Sequence, residues 1–128
     1  MARILVVDDR AGVRATARAL LEAAGHEIVE AESGRTALDI VRTEDVQLVL
    51  TDVFMPDTDG IELIHALRRQ APEIPLVAMS GGGRDVLAVA RLLGAAAIVE
   101  KPLTQRKLLS AIRRASVPAA TPEPAPDL

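Results

Sequence analysis

Residues 46–56 read Val-Gln-Leu-Val-Leu-Thr-Asp-Val-Phe-Met-Pro, a short apolar run that ends abruptly at the carboxylate of Asp52. Such a run, bounded by turn residues, is typical of a strand that is buried on both faces of a parallel sheet. Because burial of an unpaired charge is costly, we expect Asp52 at the C-terminal end of this strand and not in the core. Ligands bind at the carboxyl ends of strands in open parallel sheets, which makes Asp52 a candidate functional residue.

An apolar run followed by a polar group recurs along the chain. Apolar runs predict five strands, at residues 3–7, 27–31, 46–52, 75–80 and 96–99. The second is more polar and is therefore expected nearer an edge of the sheet. Polar groups stand at the ends of the other four, namely Asp8, Asp9, Asp52, Ser80 and Lys101.

Helical periodicity fills the intervals between these strands. Five helices are predicted, at residues 11–24, 34–42, 61–69, 84–93 and 105–115, with Asp59 and Thr104 as N-terminal caps of the third and the fifth. Strands that alternate with helices indicate βαβ units, and hence an α/β fold with a parallel sheet and right-handed crossovers. Residues 1–115 are expected to form one domain, and the Pro/Ala-rich segment 116–128 a flexible tail or a truncated linker.

Composition excludes several classes of function. The chain has 128 residues, a net charge of −3 and a single aromatic residue, Phe54, which argues against direct nucleic-acid binding. It has no cysteine, so disulfides, thiolate metal sites and cysteine nucleophiles are excluded. No apolar run is long enough to cross a bilayer, and Met1 leads directly into a strand, not a signal peptide. We expect a cytoplasmic protein without membrane contact.

The polar groups at the strand ends suggest phosphoryl chemistry. The carboxyl ends of parallel strands meet at one edge of the sheet, so these side chains are expected to converge there. Three neighbouring carboxylates repel one another unless a cation neutralises them, and Mg²⁺ is a hard cation that prefers oxygen ligands. A carboxylate beside Mg²⁺, a lysine ammonium and a hydroxyl is suited to attack and accept a phosphoryl group.

Residues 3 to about 115 resemble the receiver domain of two-component response regulators. The resemblance is carried by Asp8-Asp9, then Asp52 with Met55-Pro56 and Gly60, then Ser80, then Lys101-Pro102. It implies a CheY-like, flavodoxin-like doubly wound sheet of five parallel strands, in the order 2-1-3-4-5, flanked by five helices. It also implies that phosphorylation of Asp52 changes the surface formed by the fourth helix, the fifth strand and the fifth helix.

The same resemblance implies roles for individual residues and partners. Asp52 would be the phosphoacceptor, fed by a histidine kinase or a histidine phosphotransfer protein, with a downstream protein as target. Asp9, Asp52 and the backbone carbonyl of Phe54 would bind Mg²⁺, or Mn²⁺ in its place, and Asp8 would hold metal-bound water. Lys101 would pair with the carboxylate and then the phosphoryl group, across a cis Lys101-Pro102 bond. Ser80 would move to the phosphoryl oxygen on activation.

Two positions of the chain depart from the usual pattern of the resembled family. Ile98 stands where the family usually has an aromatic ring, and Gly81-Gly82-Gly83 follows Ser80, so we expect loop ordering instead of a ring rotation.

The sequence is compatible with three functions. The first is a stand-alone receiver, which is no enzyme beyond its own phosphorylation and slow dephosphorylation. The second is a receiver excised from a multidomain transcription factor or enzyme. An acid-nucleophile phosphatase is the weaker third, because Phe54 stands where its general acid is needed.

Overall fold

One central sheet determines where the polar residues at the strand ends lie. In a computed structural model, residues 2–53, 60–81, 88 and 94–116 are described. Five parallel strands pair in the order β2-β1-β3-β4-β5. The strands are β1 (Arg3–Val7), β2 (Glu27–Ala31), β3 (Leu48–Asp52), β4 (Leu76–Ser80) and β5 (Ala97–Glu100). The predicted α/β fold and sheet order are confirmed, and the more polar β2 lies at an edge.

Four helices are described between and after these strands. They are α1 (Ala11–Glu22), α2 (Gly34–Thr43), α3 (Gly60–Gln70) and α4 (Gln105–Ala115), the last being the predicted fifth helix. The hydroxyls of Ser33 and Thr104 accept hydrogen bonds from backbone N–H groups in the first turns of α2 and α4, so the predicted Thr104 cap is present. The Asp59 cap, residues 117–128 and all of the predicted helix at 84–93 except residue 88 lie outside the described residues.

Side chains on successive residues of the strands face opposite sides of the sheet, and each side builds its own core. On one side Ile4, Val6 and Leu50 pack with α1 and α4. On the other side Leu5 and Val7 pack with α2 and α3. All of these strand side chains are fully buried. Burial on both faces explains the continuous apolar runs of β1, β3 and β4, and it leaves only the strand ends for polar chemistry.

Within the described part of the chain, no helix has both the length and the apolar character needed to cross a membrane. The peptide bond between Lys101 and Pro102 is cis, as the resemblance implied. It lies directly after β5, at the edge of the sheet where Asp52 and Ser80 end their own strands.

Candidate functional site

The strand ends bring the predicted side chains to one edge of the sheet. Asp52 is the last residue of β3 and pairs in register with Met79 of β4. Ser80 ends β4 opposite Glu100, and the backbone N–H of Lys101 donates to the carbonyl of Ser80 over 3.0 Å. Asp8 follows β1, and its backbone N–H donates to Ala31 of β2 over 3.2 Å. Neighbouring strands therefore fix all of these positions through main-chain hydrogen bonds.

Asp8 is the most enclosed acid of the group, with a fully buried side chain. Its Oδ1 accepts the backbone N–H of Arg10 over 2.9 Å, and its Oδ2 accepts the Lys101 ammonium over 3.0 Å. Burial of a carboxylate is costly unless hydrogen bonds and a counter-charge replace the lost hydration, and Asp8 has both. These contacts hold the Asp8 side chain in one orientation at the base of the site.

Asp52 is nearly as enclosed, since 8% of its side chain is exposed. Its Oδ1 accepts the backbone N–H of Val53 over 2.9 Å and lies 3.5 Å from the Lys101 Nζ. Burial, reinforced by the neighbouring Asp8 carboxylate, raises the pKa of Asp52 above its ordinary value, and the Lys101 ammonium opposes part of that rise. The Asp52 carboxylate is therefore poorly solvated, and the Lys101 ammonium lies close enough to pair with it.

The acids form a cluster whose donor set fits a hard divalent cation. Asp8, Asp9 and Asp52 each offer one carboxylate oxygen, and these three atoms lie within 4.8 Å of one another. Asp9 is exposed to solvent, which gives the cluster an open side. Three oxygen donors and an open side match the preference of Mg²⁺ for carboxylates and retained waters. Phe54, whose carbonyl was predicted as a further ligand, lies outside the described residues.

Lys101 and Ser80 complete the predicted set. The Lys101 ammonium bridges Asp8 and Asp52, and the contact to Asp8 is the shorter of the two by the distances given above. The resemblance implied a pairing of Lys101 with the Asp52 carboxylate and did not indicate this shared arrangement. Ser80 is 2% exposed at the end of β4. All the predicted side chains within the described residues thus meet at one edge of the sheet.

Two residues beside the site were missed by the sequence reasoning. Arg14 on α1 donates from Nη1 to the backbone carbonyl of Asp8 over 2.8 Å and from Nε to Glu30 over 2.9 Å. Glu30 also accepts from Arg18 Nε over 2.6 Å, and hydrogen bonds from Arg18 and Arg14 lower the pKa of the Glu30 carboxyl. The only sequence signal was an arginine one helical turn into α1, in a stretch that otherwise reads as an ordinary amphipathic helix.

Comparison with known proteins places this geometry in context. Residues 4–113 match the response regulator receiver domain. The chain is 34% identical to the response regulator protein FleR of Pseudomonas aeruginosa, over 88% of this chain and 24% of FleR. It is 38% identical to the transcriptional regulatory protein FixJ of Bradyrhizobium diazoefficiens, over 94% of this chain and 60% of FixJ. The chain therefore spans only part of the length of these curated relatives.

A solved structure agrees with the sequence relatives. The chemotaxis protein CheY4 of Vibrio cholerae superposes with a TM-score of 0.83 at 28% identity, covering 90% of this chain and 98% of that one.

Proposed function

Because the chain belongs to the response regulator receiver family, we propose that Asp52 accepts a phosphoryl group from a phosphohistidine in two-component signalling. The observation that carries this assignment is the placement of the Asp52 carboxylate, which is buried at the end of β3 and 3.5 Å from the Lys101 ammonium. Asp8 and Asp9 are the other two acids of the cluster. Of the three, Asp52 is the one that ends a strand of the sheet.

In the proposed step, an oxygen of Asp52 attacks phosphorus and forms a new oxygen–phosphorus bond. The phosphorus–nitrogen bond of the donor breaks, and its electron pair leaves with the imidazole nitrogen, which is protonated from solvent. The Lys101 ammonium offsets the negative charge that accumulates on the transferred oxygens. The Ser80 hydroxyl is proposed to donate to one of those oxygens once transfer is complete.

Asp8, Asp9 and Asp52 are proposed to hold Mg²⁺, with Mn²⁺ able to replace it and the Phe54 carbonyl as a further ligand. When bound, the cation supplies positive charge that stabilises the phosphoryl oxygens. Asp8 is suited to a supporting role, because both of its carboxylate oxygens already accept hydrogen bonds from Arg10 and Lys101. Asp9 is suited to direct ligation, because it is exposed.

The proposed partners are a histidine kinase or histidine phosphotransfer protein as donor and a downstream protein as target. We expect the exchange to take place in the cytoplasm, without direct binding of nucleic acid, and we expect no catalytic turnover beyond slow loss of the phosphoryl group. We propose that residues 1–115 form a receiver domain that works alone and that residues 116–128 are a flexible tail or a truncated linker; a receiver within a longer regulator is the alternative. Limited proteolysis of the natural gene product, followed by mass determination of the resistant core, tests those limits.

Intact-mass measurement tests the assignment of Asp52. Incubation with acetyl phosphate or phosphoramidate and Mg²⁺ should add the mass of one phosphoryl group to the wild type. Asp52→Asn should add none, because the amide nitrogen replaces the nucleophilic oxygen. Asp45→Asn, which alters an exposed aspartate before β3, is the matched control and should be labelled like the wild type. Equal labelling of Asp52→Asn would show that the acceptor lies elsewhere.

A further inference from the structure

Arg14 connects the Asp8–Asp9 segment to the neighbouring strand β2. Its guanidinium donates from Nη1 to the Asp8 carbonyl over 2.8 Å and from Nε to the Glu30 carboxylate over 2.9 Å. Only 17% of the Arg14 side chain is exposed, so both contacts are shielded from most of the solvent. The contact to Asp8 is made to its main chain, while its side chain is held separately by Arg10 and Lys101.

The local structure explains why Arg14 reaches back toward β1. Side chains of an α-helix tilt toward its N-terminus, so an arginine in the first turns of α1 points toward the segment that precedes the helix. The guanidinium is planar and rigid, and fixing Nε on Glu30 therefore also fixes the direction of Nη1. Arg18 also contacts Glu30, over 2.6 Å, but at the other carboxylate oxygen, and its second ion pair is with Glu22.

The Asp8 carbonyl belongs to the same planar peptide unit as the N–H of Asp9. A hydrogen bond to that carbonyl restrains the whole plane, and hence the direction in which the Asp9 side chain leaves the backbone. We propose that Arg14 is a positioning residue, which orients the Asp8–Asp9 peptide so that the Asp9 carboxylate faces Asp8 and Asp52. This inference rests on the proposed function, in which these three acids bind the divalent cation.

A positioning role and a purely electrostatic role of Arg14 predict opposite effects of its removal on the affinity for Mg²⁺. If Arg14 acted only through its positive charge, its removal would reduce repulsion of the cation and tighten Mg²⁺ binding. If Arg14 acts by holding the peptide, its removal disperses the orientation of Asp9 and weakens binding. Loss of outer-shell partners of metal ligands weakens metal affinity by about 10-fold or more. The sign of the change therefore decides between the two roles.

The test is a Mg²⁺ titration of the metal-free wild type and three variants, in which amide chemical shifts report binding. Arg14→Ala should weaken binding by about tenfold. Arg14→Lys keeps the charge and the apolar stem but lacks the planar fork, so it should also bind more weakly than the wild type. Arg18→Ala is the matched control, because it removes an arginine from Glu30 without touching Asp8, and it should leave the affinity nearly unchanged.

Hydrogen exchange of the metal-free variants gives a second readout that does not depend on metal or activity. In Arg14→Ala and Arg14→Lys, the backbone amides of Asp9 and Arg10 should exchange faster, whereas Arg18→Ala should resemble the wild type. Unchanged or tighter Mg²⁺ binding in both Arg14 variants, or unchanged exchange at these amides, overturns the inference. A wild type that binds no Mg²⁺ contradicts the proposed function instead, and the exchange comparison still decides the role of Arg14.

Discussion

At the scale of single residues, the site works against the stability of the fold. Asp52 is buried beside Asp8, and both effects raise its pKa. A carboxyl group whose pKa is raised by folding holds its proton more tightly in the native state than in the unfolded state. Its contribution to stability is therefore present at low pH and is lost as pH rises through the raised pKa. At neutral pH without metal, the ionised Asp52 destabilises the native state.

Asp52→Asn should accordingly stabilise the metal-free protein. The variant removes the buried charge and keeps an oxygen that can accept the N–H of Val53, which the native Oδ1 accepts over 2.9 Å. We expect a gain on the order of 1 kcal/mol at neutral pH, as for like charges a few ångström apart in a partly hydrated site. The gain should shrink as pH falls below the raised pKa. Urea unfolding in EDTA across this pH range measures it.

Asp9→Asn is the comparison for the same experiment. Asp9 belongs to the acid cluster but is exposed, so solvent screens its charge and the gain should be smaller than for Asp52→Asn. Added Mg²⁺ should stabilise the wild type more than either variant, because a ligand stabilises the state that binds it. A lower urea midpoint for Asp52→Asn than for wild type in EDTA would show that the pairing with Lys101 outweighs desolvation and repulsion.

The sequence predicted which polar residues meet but not how they pair. Apolar runs that end in Asp8-Asp9, Asp52, Ser80 and Lys101 were enough to predict convergence, because parallel strands end at one edge. Which of the two carboxylates Lys101 contacts more closely depends on side-chain packing in three dimensions, and a local sequence pattern does not determine that packing. The role of Arg14 was hidden for the same reason, since its partners lie before its own helix and on β2.

At the scale of elements, the bounds of the described strands and helices were predicted to within two residues, and β3 begins at Leu48 and not at the predicted Val46. β1 and β2 have the predicted bounds, because their apolar or β-branched runs stop at clear polar residues. α1 was predicted to continue to residue 24 but ends at Glu22. The N–H of Ala24 donates to Leu21, which tightens the last turn before Gly25. Alanine favours helix strongly, so the sequence alone did not reveal this early end.

Two glycines have positive φ but differ in their surroundings. Gly25 has φ of 94° and no atom within 4 Å of where a Cβ would lie, whereas Gly94 has φ of 111° and a Cβ there would lie 2.7 Å from the Arg68 Cδ. The Arg68 guanidinium is tethered to backbone carbonyls of the turn after α3, at Ala71, Pro72 and Ile74. Arg68 therefore has little freedom to move aside.

Gly25→Ala and Gly94→Ala should separate backbone strain from this close contact. Gly25→Ala should cost roughly 1 to 2 kcal/mol of unfolding free energy from the positive φ alone. Gly94→Ala should cost about 1 kcal/mol more, because the new methyl group overpacks against Arg68. Urea unfolding gives both values. Truncation of Arg68 to alanine in the Gly94→Ala background should recover the additional loss, and a missing recovery would assign the whole cost to the backbone.

At the scale of the whole molecule, the sheet separates two cores, and the candidate site lies at one of its edges. Alternation of strands and helices was enough to predict a parallel sheet, but it did not by itself determine the strand order. That order was implied by the resemblance, and it places β1 and β3 side by side with β4 next to β3. Asp8 and Asp52 approach each other only because of this adjacency.

The surroundings of Ser80 and Ile98 indicate how phosphorylation would change the surface of the domain. Ser80 is buried at the end of β4, and its carbonyl accepts the N–H of Lys101 over 3.0 Å. Ile98 lies on β5 opposite Ala78, and its branched side chain has a stiff χ1 and no long lever to rotate. A rearrangement that begins at Ser80 should therefore pass into the segment that follows β4, not along β5.

We expect phosphorylation, or a beryllofluoride mimic, to protect residues 81–93 from hydrogen exchange, with little change around Ile98. Most of that segment lies outside the described residues, so the expectation rests on the glycines at 81–83 and on the position of Ser80. Ser80→Ala should remove most of the protection and still permit phosphorylation, because favourable contacts to the phosphoryl group drive the population shift. Ser110→Ala, on α4, is the control and should behave like wild type. Protection concentrated in β5 and α4, with residues 81–93 unaffected, would show that the signal leaves the site along the fifth strand.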